Sequence, residues 1–196
     1  LNMRGATRRL AWNSVYRKAN IIYRNNYNAI FKKQNIKSTT RKNTKKTMIK
    51  RELTDTIVIH CSATPPTMDI GSEKIREWHV KENGWYDIGY HYIITRDGVI
   101  ESARSEELQG SHALKVNFRS IGICMIGGYN YKNEWDNNFT HEQWVALKAL
   151  LLNLIKKYDI IKIIGHYQVD NKKKCPSFKV PEYLKENDLQ DYINIG

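Results

Sequence analysis

Three short runs rich in β-branched residues limit what this chain can fold into. They cover residues 55–61 (DTIVIHC), 120–126 (SIGICMI) and 160–165 (IIKIIG). Runs of this length bounded by turn residues read as strands, and 120–126 is the type that is buried on both faces. In the first run Ile57, Ile59 and Cys61 point one way, while Val58 and His60 point the other. Helical patterns lie between the runs. Residues 72–83 put Ile75, Trp78 and His79 on one face, and Gly84 ends the pattern. Residues 140–158 carry Trp144, Leu147, Leu151, Leu154 and Ile155 at helical spacing, with Thr140 and Gln143 forming a capping box. A last short helix is expected at 181–187. Residues 90–95 and 99–103 flank Arg96-Asp97-Gly98, a hairpin signal. Strands separated by helices, with one hairpin among them, imply an α/β domain with a central mixed β-sheet flanked by helices.

Charge divides the chain in two. The 196 residues carry a formal charge of +12, yet residues 1–50 hold 14 Lys/Arg and no acid, leaving 18 basic against 20 acidic residues in the remainder. The expected organisation is a basic N-terminal extension over 1–50, disordered or partly helical, and a near-neutral domain over 51–196. Ile21, Ile22, Tyr23, Tyr27, Ile30 and Phe31 suffice for a short amphipathic helix in the extension, and residues 37–46 read as a cationic linker. An acid-free basic segment suits nucleic acid or a transit sequence. Leu1 stands first and Met48 would be a natural start for the body, so whether residues 1–47 belong to the native protein stays open.

Several classes are excluded. No apolar run approaches the roughly 18 residues of a membrane span, and no apolar core of a secretory signal is visible. Cys61, Cys124 and Cys175 are too few and too odd for a disulfide framework. Reduced thiols or a metal ligand fit better.

Position singles out some of the six histidines, His60, His79, His91, His112, His141 and His166. His60 ends the first strand and His166 follows the last, and strand ends are where α/β proteins place ligand sites. Cys175 lies nine residues after His166, across a loop holding Lys172, Lys173 and Lys174. Two imidazoles and a thiolate form a three-ligand zinc set with a fourth position open. The alternative is a buried free thiol with locally paired histidines. Tyr90 begins the second strand beside His91, and its hydroxyl can donate to a developing oxyanion or shuttle a proton.

The ordered segments His60-Cys61-Ser62-Ala63-Thr64, Ile75-Arg76-Glu77-Trp78-His79, Gly84 to His91, Gly110-Ser111-His112-Ala113, Asn117 and Cys175-Pro176-Ser177-Phe178 carry a resemblance. Over roughly residues 53–190 the chain resembles the zinc-dependent N-acetylmuramoyl-L-alanine amidases of the phage lysozyme type, which share the fold of the peptidoglycan recognition proteins. The resemblance implies that His60, His166 and Cys175 bind Zn2+, and that Tyr90 and a lysine two residues before the cysteine, Lys173, assist catalysis. The phage members have one residue fewer between the second histidine and the cysteine, so counting forward from His166 gives Lys172 instead. Lys173 is preferred because the rigid Cys-Pro-Ser-Phe segment sets the register nearest the metal. His112 and Asn117 match positions that line the substrate groove.

The implied reaction is hydrolysis of the amide between N-acetylmuramic acid and L-alanine in peptidoglycan, with lysis of the bacterium. Zinc lowers the pKa of its bound water toward about 7. Zinc, Lys173 and Tyr90 stabilise the oxyanion. Two other classes are a non-catalytic peptidoglycan-binding module and a regulator that contacts a phage RNA polymerase through about residues 48–55. Retention of Cys175 and Tyr90 favours the enzyme. The expected protein is a monomer that waits in the host cytoplasm, without signal peptide, until the inner membrane is opened, and nucleic acid would be bound only through the basic arm.

Overall fold

The computed structural model describes residues 48–193. The helix and linker expected within residues 1–47 lie outside the described residues. Among the described residues there are five strands: β1 (Thr56–Cys61), β2 (Tyr92–Ile94), β3 (Ile100–Ser102), β4 (Ser120–Met125) and β5 (Lys162–Gly165). They form one mixed sheet in the order β3-β2-β4-β1-β5. β1 runs parallel to both β4 and β5, β2 runs parallel to β4, and only the β2–β3 hairpin is antiparallel. The helices are α1 (Ser72–Glu77), α2 (His141–Lys157) and α3 (Val180–Glu186). Among the described residues no helix is long and apolar enough to cross a membrane.

Every residue of β1 and β4 is buried, as expected of parallel strands covered on both faces. One face sets Ile57, Ile59, Ile121, Ile123 and Met125 against Leu147, Leu150, Leu151 and Leu154 of α2. The opposite face sets Ile93 and Cys124 against Ile75 of α1 and Ile88, while Val58 meets Ala113 and Ile164. The alternation read in the first strand therefore assigns its residues to two separate cores.

Three elements differ from the sequence expectation. The helix from Ser72 is α-helical only to Glu77 and continues as a π turn over Trp78–Glu82. That wider turn presents His79, whose Nδ1 accepts from the Gly89 N–H at 3.0 Å and whose ring stacks on Trp85. Gly84, at φ +67°, then reverses the chain. β2 is shorter than 90–95, so Tyr90 and His91 precede the strand; their carbonyls still accept from Arg104 and Ala103 at 3.1 and 2.8 Å. β5 begins at Lys162 because Ile161 N and Lys162 N both donate to the Asp55 carbonyl, which turns Ile160 out of the ladder. Pairing with the body begins before the expected boundary at residue 51. The Ile49 carbonyl accepts from Gln109 N at 2.9 Å, and Lys50 bridges Leu108. Arg51 follows, its guanidinium donating to the carbonyls of Glu106 and, at 3.1 Å, Ser120.

The capping box of α2 forms as read. Thr140 Oγ1 accepts from Gln143 N, and Gln143 Oε1 accepts from Thr140 N, both at 3.1 Å. Gln143 does more than cap. It is fully buried, and its Nε2 donates to the carbonyls of Ile94 and Ile126 at 3.2 and 2.8 Å. One amide thus ties the start of α2 to the ends of β2 and β4.

Two predictions arise from this packing. Gln143→Leu leaves the partly buried Thr140 N–H without its acceptor and takes a donor from two buried strand-end carbonyls, so it should cost at least about 2 kcal/mol, more than the roughly 1 kcal/mol expected of Thr140→Ala. Urea midpoints of the two variants would rank them. The second concerns His91, whose Nδ1 accepts from Gly122 N and whose Nε2 faces the Leu108 carbonyl. Burial holds this imidazole down at about 3. Its unfolded counterpart takes up a proton near pH 6.5. The stabilisation from a neutral His91 is complete above that pH and is lost as pH falls toward 3. Melting temperatures should fall on acidification from pH 7, and the slope should flatten in His91→Gln.

Candidate metal centre

The register of β1 against β5 creates the centre. Ile59 pairs with Gly165, so His60 and His166 stand side by side one step beyond the pairing. Cross-strand neighbours point to the same face. Their ring centroids are 4.5 Å apart. Cys175 approaches from the following loop and brings its Sγ to 3.7 Å from His60 Nδ1. The ligand atoms of His60, His166 and Cys175 all lie within 4.8 Å of one another.

That loop is held at both ends. The Cys175 carbonyl accepts from Tyr167 N at 3.0 Å. Ser177 Oγ donates to the Gly128 carbonyl at 2.8 Å. Gly127 and Gly128, at φ +129° and +97°, let the chain turn after β4 and bring that carbonyl there. Phe178 then enters an aromatic group with Phe139, Trp144 and Tyr183. The Cys-Pro-Ser-Phe segment is thereby anchored on either side of the thiol.

The donor set suits a divalent ion. Burial pushes His60 well below the ordinary imidazole range, with the nearby His166 adding to it. His166 is lowered by burial and by the charge of Lys173. Both rings are therefore neutral at pH 7, which is the ligating form. Burial pushes the Cys175 thiol up. A dication reverses that effect. The Cys61 N–H, donating to Cys175 Sγ at 3.1 Å, adds a fixed partial charge that favours thiolate. Two neutral imidazoles and one sulfur are a donor set of catalytic zinc sites, so the group could hold zinc.

The remaining candidates are distributed around this group. The Tyr90 ring lies 5.1 Å from that of His60, and its hydroxyl reaches the Cys124 thiol. Burial raises the Tyr90 pKa well above that of a free phenol, so it keeps its proton. Lys172, Lys173 and Lys174 are all exposed, and Lys173 is the one whose charge acts on His166. His112 and Asn117, expected on the wall of a substrate groove, have the following surroundings. His112 is only 8% exposed and lies behind His60, its Nδ1 3.0 Å from His60 Nε2. Asn117 Oδ1 accepts from the backbone N–H groups of His112 and Ala113. They are placed there because residues 110–117 fold onto the sheet over Gly122 and cover that face instead of opening away from it. His91 and His79 support backbone, as already described, and His141 is exposed at the start of α2. The Cys61 N–H carried no sequence signal, and His112, though singled out in the sequence, carried none for its place behind His60. Both depend on segments far apart in the chain.

The profile of the family described as N-acetylmuramoyl-L-alanine amidase matches residues 50–178. The endolysin of Escherichia phage T7 is 46% identical over 139 residues, which are 71% of this chain and 91% of that protein. The endolysin of Klebsiella phage KP32 is 44% identical over 140 residues, again 71% of this chain and 91% of its own length. Among solved structures, the N-acetylmuramoyl-L-alanine amidase LysC from Clostridium intestinale superposes with a TM-score of 0.59 at 34% identity, covering 69% of this chain and 86% of that one. Drosophila PGRP-LB superposes with a TM-score of 0.61 at 27% identity, covering 77% and 91%. The match spans the sheet, the paired histidines and the Cys175 loop together, and on that ground the chain belongs to the N-acetylmuramoyl-L-alanine amidase family.

Proposed function

We propose that this chain is a zinc-dependent endolysin that hydrolyses the amide between N-acetylmuramic acid and L-alanine in peptidoglycan. The observation that carries the reading is the convergence of His60, His166 and Cys175 in a chain of the amidase family. Those three residues would hold the ion. Bound there, zinc supplies Lewis acidity that activates water and polarises the scissile carbonyl.

The other groups act through charge and proton position. Lys173 is exposed on the loop that delivers Cys175, and its charge reaches His166, which places a cation beside the centre for the developing oxyanion. Tyr90 packs against His60 and stays protonated at neutral pH, so it acts as a donor, and the leaving amine can take its proton along that side. With both pKa values lowered, His60 and His166 present lone pairs for which protons compete little with the ion at neutral pH.

Two experiments test this reading. Incubated with purified peptidoglycan, the chain should release new L-alanine amino termini. A chelator should stop that release and added zinc restore it, while Cys175→Ser should lower the zinc content; cleavage indifferent to chelation would refute zinc dependence. The lysines are separable by single substitutions. Lys173→Ala should cost about 100-fold or more in kcat, the usual loss for one oxyanion donor, whereas Lys172→Ala should cost little. The opposite ranking would move the assignment to Lys172.

A further inference from the structure

Residues 110–120 bury a histidine that a three-ligand centre does not itself require. His112 lies over β4 at Gly122, where a Cβ would stand 2.5 Å from its ring, and a Cβ at Gly110 would stand 2.3 Å from it. The rings of His60 and His91 flank it at 5.0 and 5.6 Å. Its backbone is pinned by Asn117 Oδ1, which accepts from His112 N at 3.0 Å and Ala113 N at 2.8 Å. The slot is therefore shaped for one ring in one place.

The decisive contact is between His112 Nδ1 and His60 Nε2 at 3.0 Å. Two ring nitrogens in hydrogen-bond contact require one N–H facing one bare lone pair, so a single proton lies between them. Its direction is set from the far end. Ser120 Oγ donates its one proton to the Val116 carbonyl at 2.7 Å. Toward His112 Nε2, at 3.5 Å, that oxygen offers only lone pairs. The Ser120 backbone on the same side is an acceptor as well. His112 Nε2 must then carry hydrogen, which leaves Nδ1 bare to accept from His60 Nε2–H. The remaining nitrogen of His60, Nδ1, is left with a free lone pair, and it is the atom that faces Cys175 Sγ.

We propose that His112 is a positioning residue that locks His60 in the Nε2–H tautomer and aims its Nδ1 lone pair into the metal centre. The inference rests on the zinc reading above and gives His112 a role distinct from substrate contact. Partners that hold the second nitrogen of a ligating histidine set ring orientation and basicity, and their loss typically costs about 10–100-fold in metal affinity.

The test uses the full chain loaded with zinc, with affinity measured by competition against a chromogenic chelator. His112→Leu removes the acceptor and should weaken zinc binding by about 10–100-fold. His112→Asn, whose amide oxygen can take the place of Nδ1, should stay within a few-fold of the unsubstituted chain. A long-range proton–nitrogen spectrum of the unsubstituted, 15N-histidine-labelled protein should show His60 protonated at Nε2 and bare at Nδ1. This readout stands even where the Leu variant does not fold. A proton on His60 Nδ1 overturns the proposal. So does His112→Leu holding zinc at unchanged affinity, with or without a rise in KM for peptidoglycan, and so does equal loss in the Leu and Asn variants. Failure of the unsubstituted chain to bind zinc would instead overturn the zinc reading on which the proposal stands.

Discussion

The parallel pairing of β1 with β5 is the constraint on which the rest of the structure depends. Its register ends at Ile59 opposite Gly165, so the next residue on each chain is a histidine, and the two rings meet at 4.5 Å. A slip of one residue would turn one ring to the opposite face of the sheet. Burial on both faces opposes such a slip, because Ile57 and Ile59 belong to the core under α2 while Val58 belongs to the one under residues 113–116. The hydrophobic pattern of the first strand thus sets the geometry of the centre at its end.

Burial then determines protonation. His60, His91 and His112 lie on one covered face, and desolvation lowers the proton affinity of each. A cluster of neutral imidazoles can order its hydrogen bonds in one direction, from ring to ring and finally to backbone acceptors. The same burial that favours ligation exposes the fold to acid, since each of these rings gains protons only on unfolding. Stability and metal readiness here have one physical origin.

Much of the fold was legible beforehand because its signals are local. Residues 55–61, 120–126 and 140–158 announce themselves through alternation, β-branching and a capping box, and all three appear where expected. The hairpin at Arg96-Asp97-Gly98 also forms, joining β2 to β3. The shortened β2, the π turn at Trp78 and the late start of β5 were not legible. Each results from a backbone group claimed by a distant partner, such as the Asp55 carbonyl that accepts from both Ile161 and Lys162.

The amino-acid sequence by itself determined the α/β class, the separation of a basic arm from a near-neutral body, and the identity of His60, His166 and Cys175 as the residues to consider together. Those follow from periodicity, charge count and the ends of strands, all of which are written along the chain. Only the tertiary structure decided which nitrogen of His60 faces the sulfur, that the Cys61 N–H supports that sulfur, and that His112 stands behind His60 with Asn117 holding its backbone. Tautomer and orientation are set by hydrogen bonds between residues up to 115 positions apart, and such contacts exist only once the sheet has closed and the loop has packed across it.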